Sequence, residues 1–179
     1  MSLLSTLHLS ALALLLAVAV YTDLKERRIP NKLTGPGLLV GLIFAGILEG
    51  GVPAMGLLGA ASALVLSFPM VALGVLGAGD AKLLTAVGAF VGPGGLISVV
   101  LYGALAGGVL GLVSTIRRGT LIPVLLNSLS LIVHTTTLGR RGERLGLDTP
   151  GAHTVPYGVA IAAGALATWF VPITLGGSL

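Results

Sequence analysis

The chain has 179 residues, of which 55% are apolar and only 9% charged, against about a quarter charged in soluble globular domains. A soluble fold of this length would need far more polar surface to cover its core, so the composition assigns the chain to a lipid bilayer. The net charge of +4 does not indicate nucleic acid, because the ten Lys and Arg fall in short segments between apolar runs rather than on one basic face, and the absence of Cys excludes a disulfide framework, a thiolate nucleophile and a Cys-built zinc site.

In chain order, residues 3–20 have the apolarity of a signal peptide. No Lys or Arg precedes them, however, and five charged residues follow between positions 23 and 28, so the run reads as a retained first helix over 3–22. Further apolar runs between Gly, Pro and charged breakers predict helices over 33–48, 54–76, 80–92, 94–116 and 155–173,. The runs 54–76 and 94–116 carry no charged side chain and exceed the roughly 20 residues needed to span hydrocarbon. The expectation is an all-α bundle of six transmembrane helices forming a single domain over 1–179. With both termini outside, Lys25, Arg27, Arg28, Lys32, Lys82, Arg117, Arg118, Arg140, Arg141 and Arg144 all fall on the cytoplasmic side, and Glu49 is the one acidic residue outside. This asymmetry follows the positive-inside rule.

Residues 120–138 are apolar enough to suggest a seventh span, but they contain Pro123, Asn127, Ser128, Ser130 and His134, and spanning would carry Arg140, Arg141 and Arg144 outside. They read as a helix lying in the interface or a re-entrant piece before the last span. Glycine is abundant, with 28 residues, and the spacings Gly37 to Gly41, Gly88 to Gly92, Gly103 to Gly107 and Gly107 to Gly111 suit close helix contact.

Two acidic residues interrupt this apolar pattern where chemistry is expected. Asp80 lies in Gly77-Ala78-Gly79-Asp80-Ala81-Lys82-Leu83, at the junction of two spans, and an ionisable residue there is a functional candidate. Gly77 and Gly79 leave room for a second chain to approach the carboxylate; the plainer reading is a polar turn with Asp80 as helix N-cap. Asp23 follows the first helix in Asp23-Leu24-Lys25-Glu26-Arg27-Arg28-Ile29-Pro30-Asn31. Taken alone it reads as a solvated interfacial charge, but the topology puts the end of the first helix and the start of the fourth on one membrane face, so the two carboxylates can meet. Such a pair hydrolyses a peptide bond without metal or cofactor: one ionised carboxylate takes a proton from water while the other, protonated, polarises the scissile carbonyl. Helix dipoles would make Asp80, at a helix start, the base and Asp23, at a helix end, the acid.

The chain here resembles the type IV prepilin peptidases, and most closely the short branch that serves Flp-type (tight-adherence) pili. The resemblance rests on Gly77-Ala78-Gly79-Asp80-Ala81-Lys82-Leu83, on Asp23 with Arg28-Ile29-Pro30-Asn31, and on Val155-Pro156-Tyr157-Gly158-Val159-Ala160. It implies catalysis by Asp23 and Asp80 and cleavage of the short basic leader of a pilin-like precursor at the cytoplasmic face of a bacterial inner membrane. Larger relatives carry a methyltransferase insertion with zinc-binding cysteines, which this sequence lacks, so N-methylation is not expected. Lys82 is two positions from Asp80 and so points away from it on a helix, snorkelling or positioning substrate. Arg28, Pro30 and Asn31 shape the loop near the pair, with Pro30 also suited to a helix boundary. Pro156 and Tyr157 suit the opening of the last helix. His134 and His153 are too isolated for a metal site. The alternative is a proton-coupled transporter or channel component with Asp23 and Asp80 as a relay, which the placement of both on one face disfavours. Nothing in the sequence fixes an oligomeric state.

Overall fold

The computed structural model describes residues 3–117 and 157–170, the last two of these by backbone alone. The interfacial segment expected over 120–138, His134, His153, Pro156 and the basic residues Arg118, Arg140, Arg141 and Arg144 lie outside the described residues. Those described form five helices: α1 (Leu3–Glu26), α2 (Asn31–Glu49), α3 (Ala54–Ala72), α4 (Ala78–Arg117) and α5 (Tyr157–Phe170). The first four are long and apolar enough to cross a membrane. Apolar side chains point outward as well as inward: Leu14, Leu39, Val65, Phe68 and Leu105 are all exposed, while Leu12, Leu16, Leu83, Val87, Val99 and Ile161 form the core. A helix that is apolar on every face suits lipid rather than water, and the chain is a membrane protein.

The helix ends are set by local chemistry. α1 continues past the expected end at residue 22 and stops only where Arg27 takes a left-handed conformation (φ 53°) and donates its N–H to the Asp23 carbonyl at 2.9 Å. Asp23 therefore lies in the last turn of α1. Pro30 immediately precedes α2, the helix-boundary role that suits its fixed φ and missing donor. Between α2 and α3, the Glu49 carboxylate accepts backbone N–H groups from Met55 (3.1 Å) and Gly56 (3.4 Å), satisfying donors that the first turn of α3 leaves free.

Residues 54–76 were expected to be one helix, but α3 ends at Ala72. Gly74 is left-handed (φ 71°), its N–H bonds Val71 O at 3.0 Å, and the Val75 N–H bonds Met70 O at 2.8 Å. These bonds close a Schellman motif around a glycine. The chain between 73 and 77 is thereby released from the helix and delivers Gly77 to the start of α4.

A straight helix with the 40 residues of α4 would be about 60 Å long, twice the roughly 30 Å hydrocarbon thickness. α4 is instead broken at Gly92 (φ 68°, ψ 179°), which Pro93 follows. That backbone conformation is open essentially to glycine alone. The neighbours of the two arms show that the chain reverses there. In the first arm Gly79 lies against Ile29, beside the α1–α2 turn, and Phe90 stacks on His8 at 5.4 Å, near the opposite end of α1. In the second arm Val99 lies against Gly164, and Gly103 and Gly107 lie against Ala160. The second arm thus runs antiparallel to α5, back towards the end where α5 begins. Five helices stand where six were expected because the segments 80–92 and 94–116 are continuous through the Gly92 break, and the expected 155–173 is described only over Tyr157–Phe170.

Glycine closes these packings at specific points. A methyl group on Gly59 would collide with the carbonyl oxygen of Gly88, and one on Gly41 would come within 2.8 Å of the Phe90 ring; at Gly37 it would meet Leu15 at 2.7 Å. Gly108 has nothing within 4 Å. Gly59→Ala is therefore expected to cost about 1–3 kcal/mol, as overpacking of a tight contact does, whereas Gly108→Ala should be neutral or stabilise by up to about 1 kcal/mol. Unfolding midpoints in detergent check both.

Candidate active site

Asp80 is positioned by the start of α4. The Gly77 carbonyl accepts the Ala81 N–H at 3.1 Å, which makes Gly77 the N-cap and puts Asp80 three residues into the helix. From there its carboxylate reaches back to the Gly77 backbone N–H, the one half of a capping box that a glycine N-cap permits. The plainer expectation, that Asp80 would itself be the N-cap, is corrected accordingly. A side chain on Gly77 would have its Cβ 2.7 Å from Asp80 Oδ2. Gly79 has a different neighbour: its Cβ would lie 3.3 Å from both Cβ and O of Ile29. One glycine thus admits the carboxylate, and the other admits the turn that follows α1.

Asp23 is only 7% exposed. Its Oδ2 accepts the backbone N–H of Gly158 at 3.0 Å, in the first turn of α5. A Cβ on Gly158 would stand 2.8 Å from that oxygen and 3.2 Å from Asp23 Cβ and Cγ. Although Asp23 ends one helix, its carboxylate meets the beginning of another. This overturns the premise that helix dipoles separate the two acids: Asp80 lies in the first turn of α4, Asp23 faces the first turn of α5, and both carboxylates have a helix N-terminus. The Arg27 charge also acts on Asp23, and Asp23 is close enough for its charge to act directly on Asp80.

The other residues singled out in the sequence divide. Lys82 and Asn31 are brought together, with Lys82 Nζ donating to Asn31 Oδ1 at 2.8 Å. This bond ties the first turns of α4 and α2 beside Asp80. Pro30 fixes where α2 starts. Arg28 is exposed in the α1–α2 turn and makes no hydrogen bond or ion pair with either carboxylate among the described residues. Lys25, Arg27, Arg28, Lys32 and Lys82 are all exposed around this end of the bundle, and Glu49 lies at the far end of α2. Among the described residues no three His, Cys, Asp or Glu side chains gather as a metal site. Gly158 lies within the longer motif Val155-Pro156-Tyr157-Gly158-Val159-Ala160, which does not by itself mark it as a site residue. Its local signal, a glycine just after Pro156 and Tyr157 where a helix opens, does not reveal that a carboxylate from α1 lies above it.

Asp23, buried, and Asp80, half-buried, therefore lie at the same basic end of a lipid-embedded bundle, near enough for the charge of one to act on the other. Such an arrangement can hold one proton between them and activate water. Residues 10–112 match the model of the Type IV leader peptidase family, a stretch that includes both Asp residues and ends before α5. No curated protein matches the chain, and no solved structure does.

The Lys82–Asn31 bond joins two elements distant in sequence but lies in an exposed setting, where a hydrogen bond to a charged group is worth little. A double-mutant cycle with Lys82→Ala and Asn31→Ala should give a coupling of about 0.5–1 kcal/mol in reversible unfolding. Full additivity would show that the bond does not join α2 to α4 in solution.

Proposed function

We propose, from the premise that this chain belongs to the Type IV leader peptidase family, that it is an aspartic endopeptidase in which Asp23 and Asp80 are the catalytic pair. Its substrate is the short basic leader of a pilin-like precursor of the Flp type. The family itself makes the chain a membrane protease; the approach of the α4 start to the turn after α1, where Gly79 lies against Ile29 and the Asp23 charge acts on Asp80, supports the assignment of its chemistry. In this reading the bundle crosses the bacterial inner membrane six times, α4 supplying two crossings, and the basic end faces the cytoplasm.

Hydrolysis proceeds without a metal or cofactor. The ionised member of the pair takes a proton from water as its oxygen attacks the scissile carbonyl carbon, and the protonated member gives its proton to the carbonyl oxygen. The gem-diol intermediate then collapses: the proton taken from water passes from its carboxylic acid to the leaving amine nitrogen as the C–N bond breaks, one hydroxyl of the intermediate returns its proton to the other carboxylate as the carbonyl re-forms, and the pair again holds one proton. A substrate with a basic leader followed by an apolar helix suits this position: the helix enters lipid beside the bundle, and the scissile bond stays at the interface. A proton relay for transport would need acidic groups along a path across the bilayer; the shared location of Asp23 and Asp80 speaks for hydrolysis.

Asp23→Asn and Asp80→Asn, each nearly isosteric, are expected to lower cleavage of a pilin-like precursor in membranes by about 10²–10⁴-fold with unfolding midpoints little changed. The assignment fails for either residue whose Asn variant, well folded, cuts at the normal rate.

A further inference from the structure

Each of the two carboxylates has a glycine pressed against it. For Asp80 that glycine is Gly77, from the same helix start; for Asp23 it is Gly158, from a helix 135 positions further along the chain. The two cradles are alike in kind. In each a backbone N–H faces the carboxylate, and in each a methyl group would come within 3 Å of the Oδ2 atom. Gly77 was marked by the motif that surrounds Asp80. Gly158 belongs to the 155–160 segment of the resemblance, but no acidic residue stands beside it there, and the matched family segment ends at residue 112, well before it.

We propose that Gly158 is a positioning residue for Asp23: its N–H fixes the Oδ2 atom, its missing side chain lets the carboxylate reach that N–H, and the other oxygen is thereby aimed at the water shared with Asp80. The proposal rests on the reading of Asp23 as one of the catalytic pair. Helix geometry alone gives glycine no advantage at this position. Its φ is not in the left-handed region, the only glycines there being Gly50, Gly74 and Gly92 among the described residues, and glycine in a helix is disfavoured relative to alanine. Closer packing between helices is served elsewhere on α5: at Gly164 a Cβ would meet the backbone of Val99 and Gly103. At Gly158 the three nearest atoms all belong to the Asp23 side chain. What the missing methyl makes room for is therefore the carboxylate.

The functional and the merely structural roles predict opposite results for Gly158→Ala. If the glycine served only the helix, alanine would leave cleavage unchanged and raise the unfolding midpoint. If it positions Asp23, the added methyl displaces the carboxylate by a fraction of an ångström to an ångström, and misplacement on that scale lowers rate by up to about a hundredfold. The loss should fall on kcat, with KM within about twofold of the parent, because the rest of the substrate-binding surface is untouched. The measurement is precursor cleavage by the full chain in membranes or detergent, for the parent, Gly158→Ala and Asp23→Asn. Loss of kcat in both variants supports the proposal. An inactive Asp23→Asn beside a fully active Gly158→Ala overturns the proposal and leaves the catalytic pair standing. An active Asp23→Asn overturns the pair, and this inference with it. If Gly158→Ala folds poorly, the double variant Gly158→Ala with Asp23→Ala decides: recovery of the parent unfolding midpoint shows that the methyl acts on the Asp23 carboxylate, and no recovery overturns the proposal.

Discussion

A carboxylate at the edge of a lipid-embedded bundle must find hydrogen-bond donors, because the surroundings offer little water and an unsatisfied buried acid is costly. In this chain the donors come from helix beginnings, whose first backbone N–H groups have no partner inside their own helix. The start of α4 supplies one for Asp80 and the start of α5 supplies one for Asp23. Glu49, at the opposite end of the bundle, follows the same rule by closing the start of α3. The three acidic groups differ in consequence. Glu49 is alone and structural, whereas Asp23 and Asp80 are brought near each other, where two like charges and one proton make a chemically useful pair.

Much of the fold exists to bring those two helix starts to one place. The Schellman turn at Gly74 ends α3 early enough for Gly77 to begin α4 beside the α1–α2 turn. The reversal at Gly92 returns the chain to the same end of the bundle, and the second arm of α4 packs antiparallel to α5 through Gly103, Ala160 and Gly164. The effect is that α5 begins at Asp23. Glycine is used here for three separate physical reasons: a left-handed turn at Gly74, a conformation closed to side chains at Gly92, and direct backbone contact at Gly59 and Gly164. Each is a different way of bending or joining helices where apolar side chains alone would keep them straight and apart.

The sequence made the membrane setting, the approximate helix positions and Asp80 legible, because long apolar runs and a glycine-flanked acid are local signals. Asp23 required more. Its neighbours Lys25, Glu26, Arg27 and Arg28 look like an ordinary solvated helix end, and only topology and resemblance to a family singled it out. The end of α3 was misjudged because apolar residues continue to Leu76, and hydropathy does not register the left-handed turn at Gly74. The dipole argument lost its premise for a related reason: it rests on the helix that Asp23 ends, whereas the helix that begins opposite is fixed by tertiary structure. The contact of Gly158 with Asp23 was hidden because it spans most of the chain's length, and a single sequence carries no trace of such a contact. The pairing of Lys82 with Asn31 was out of reach in the same way, although both residues had been marked individually.

The central claim is that Asp23 and Asp80 converge at one end of the bundle. The absence of native cysteine allows it to be measured directly, by placing the pair Asp23→Cys and Asp80→Cys in the full chain and treating membranes with a short bifunctional thiol reagent. Efficient internal bridging of that pair, with none between Glu49→Cys and Asp80→Cys at opposite ends of the bundle, is the expected result. Failure of the first pair to bridge, with both thiols shown to be reactive, would contradict the account.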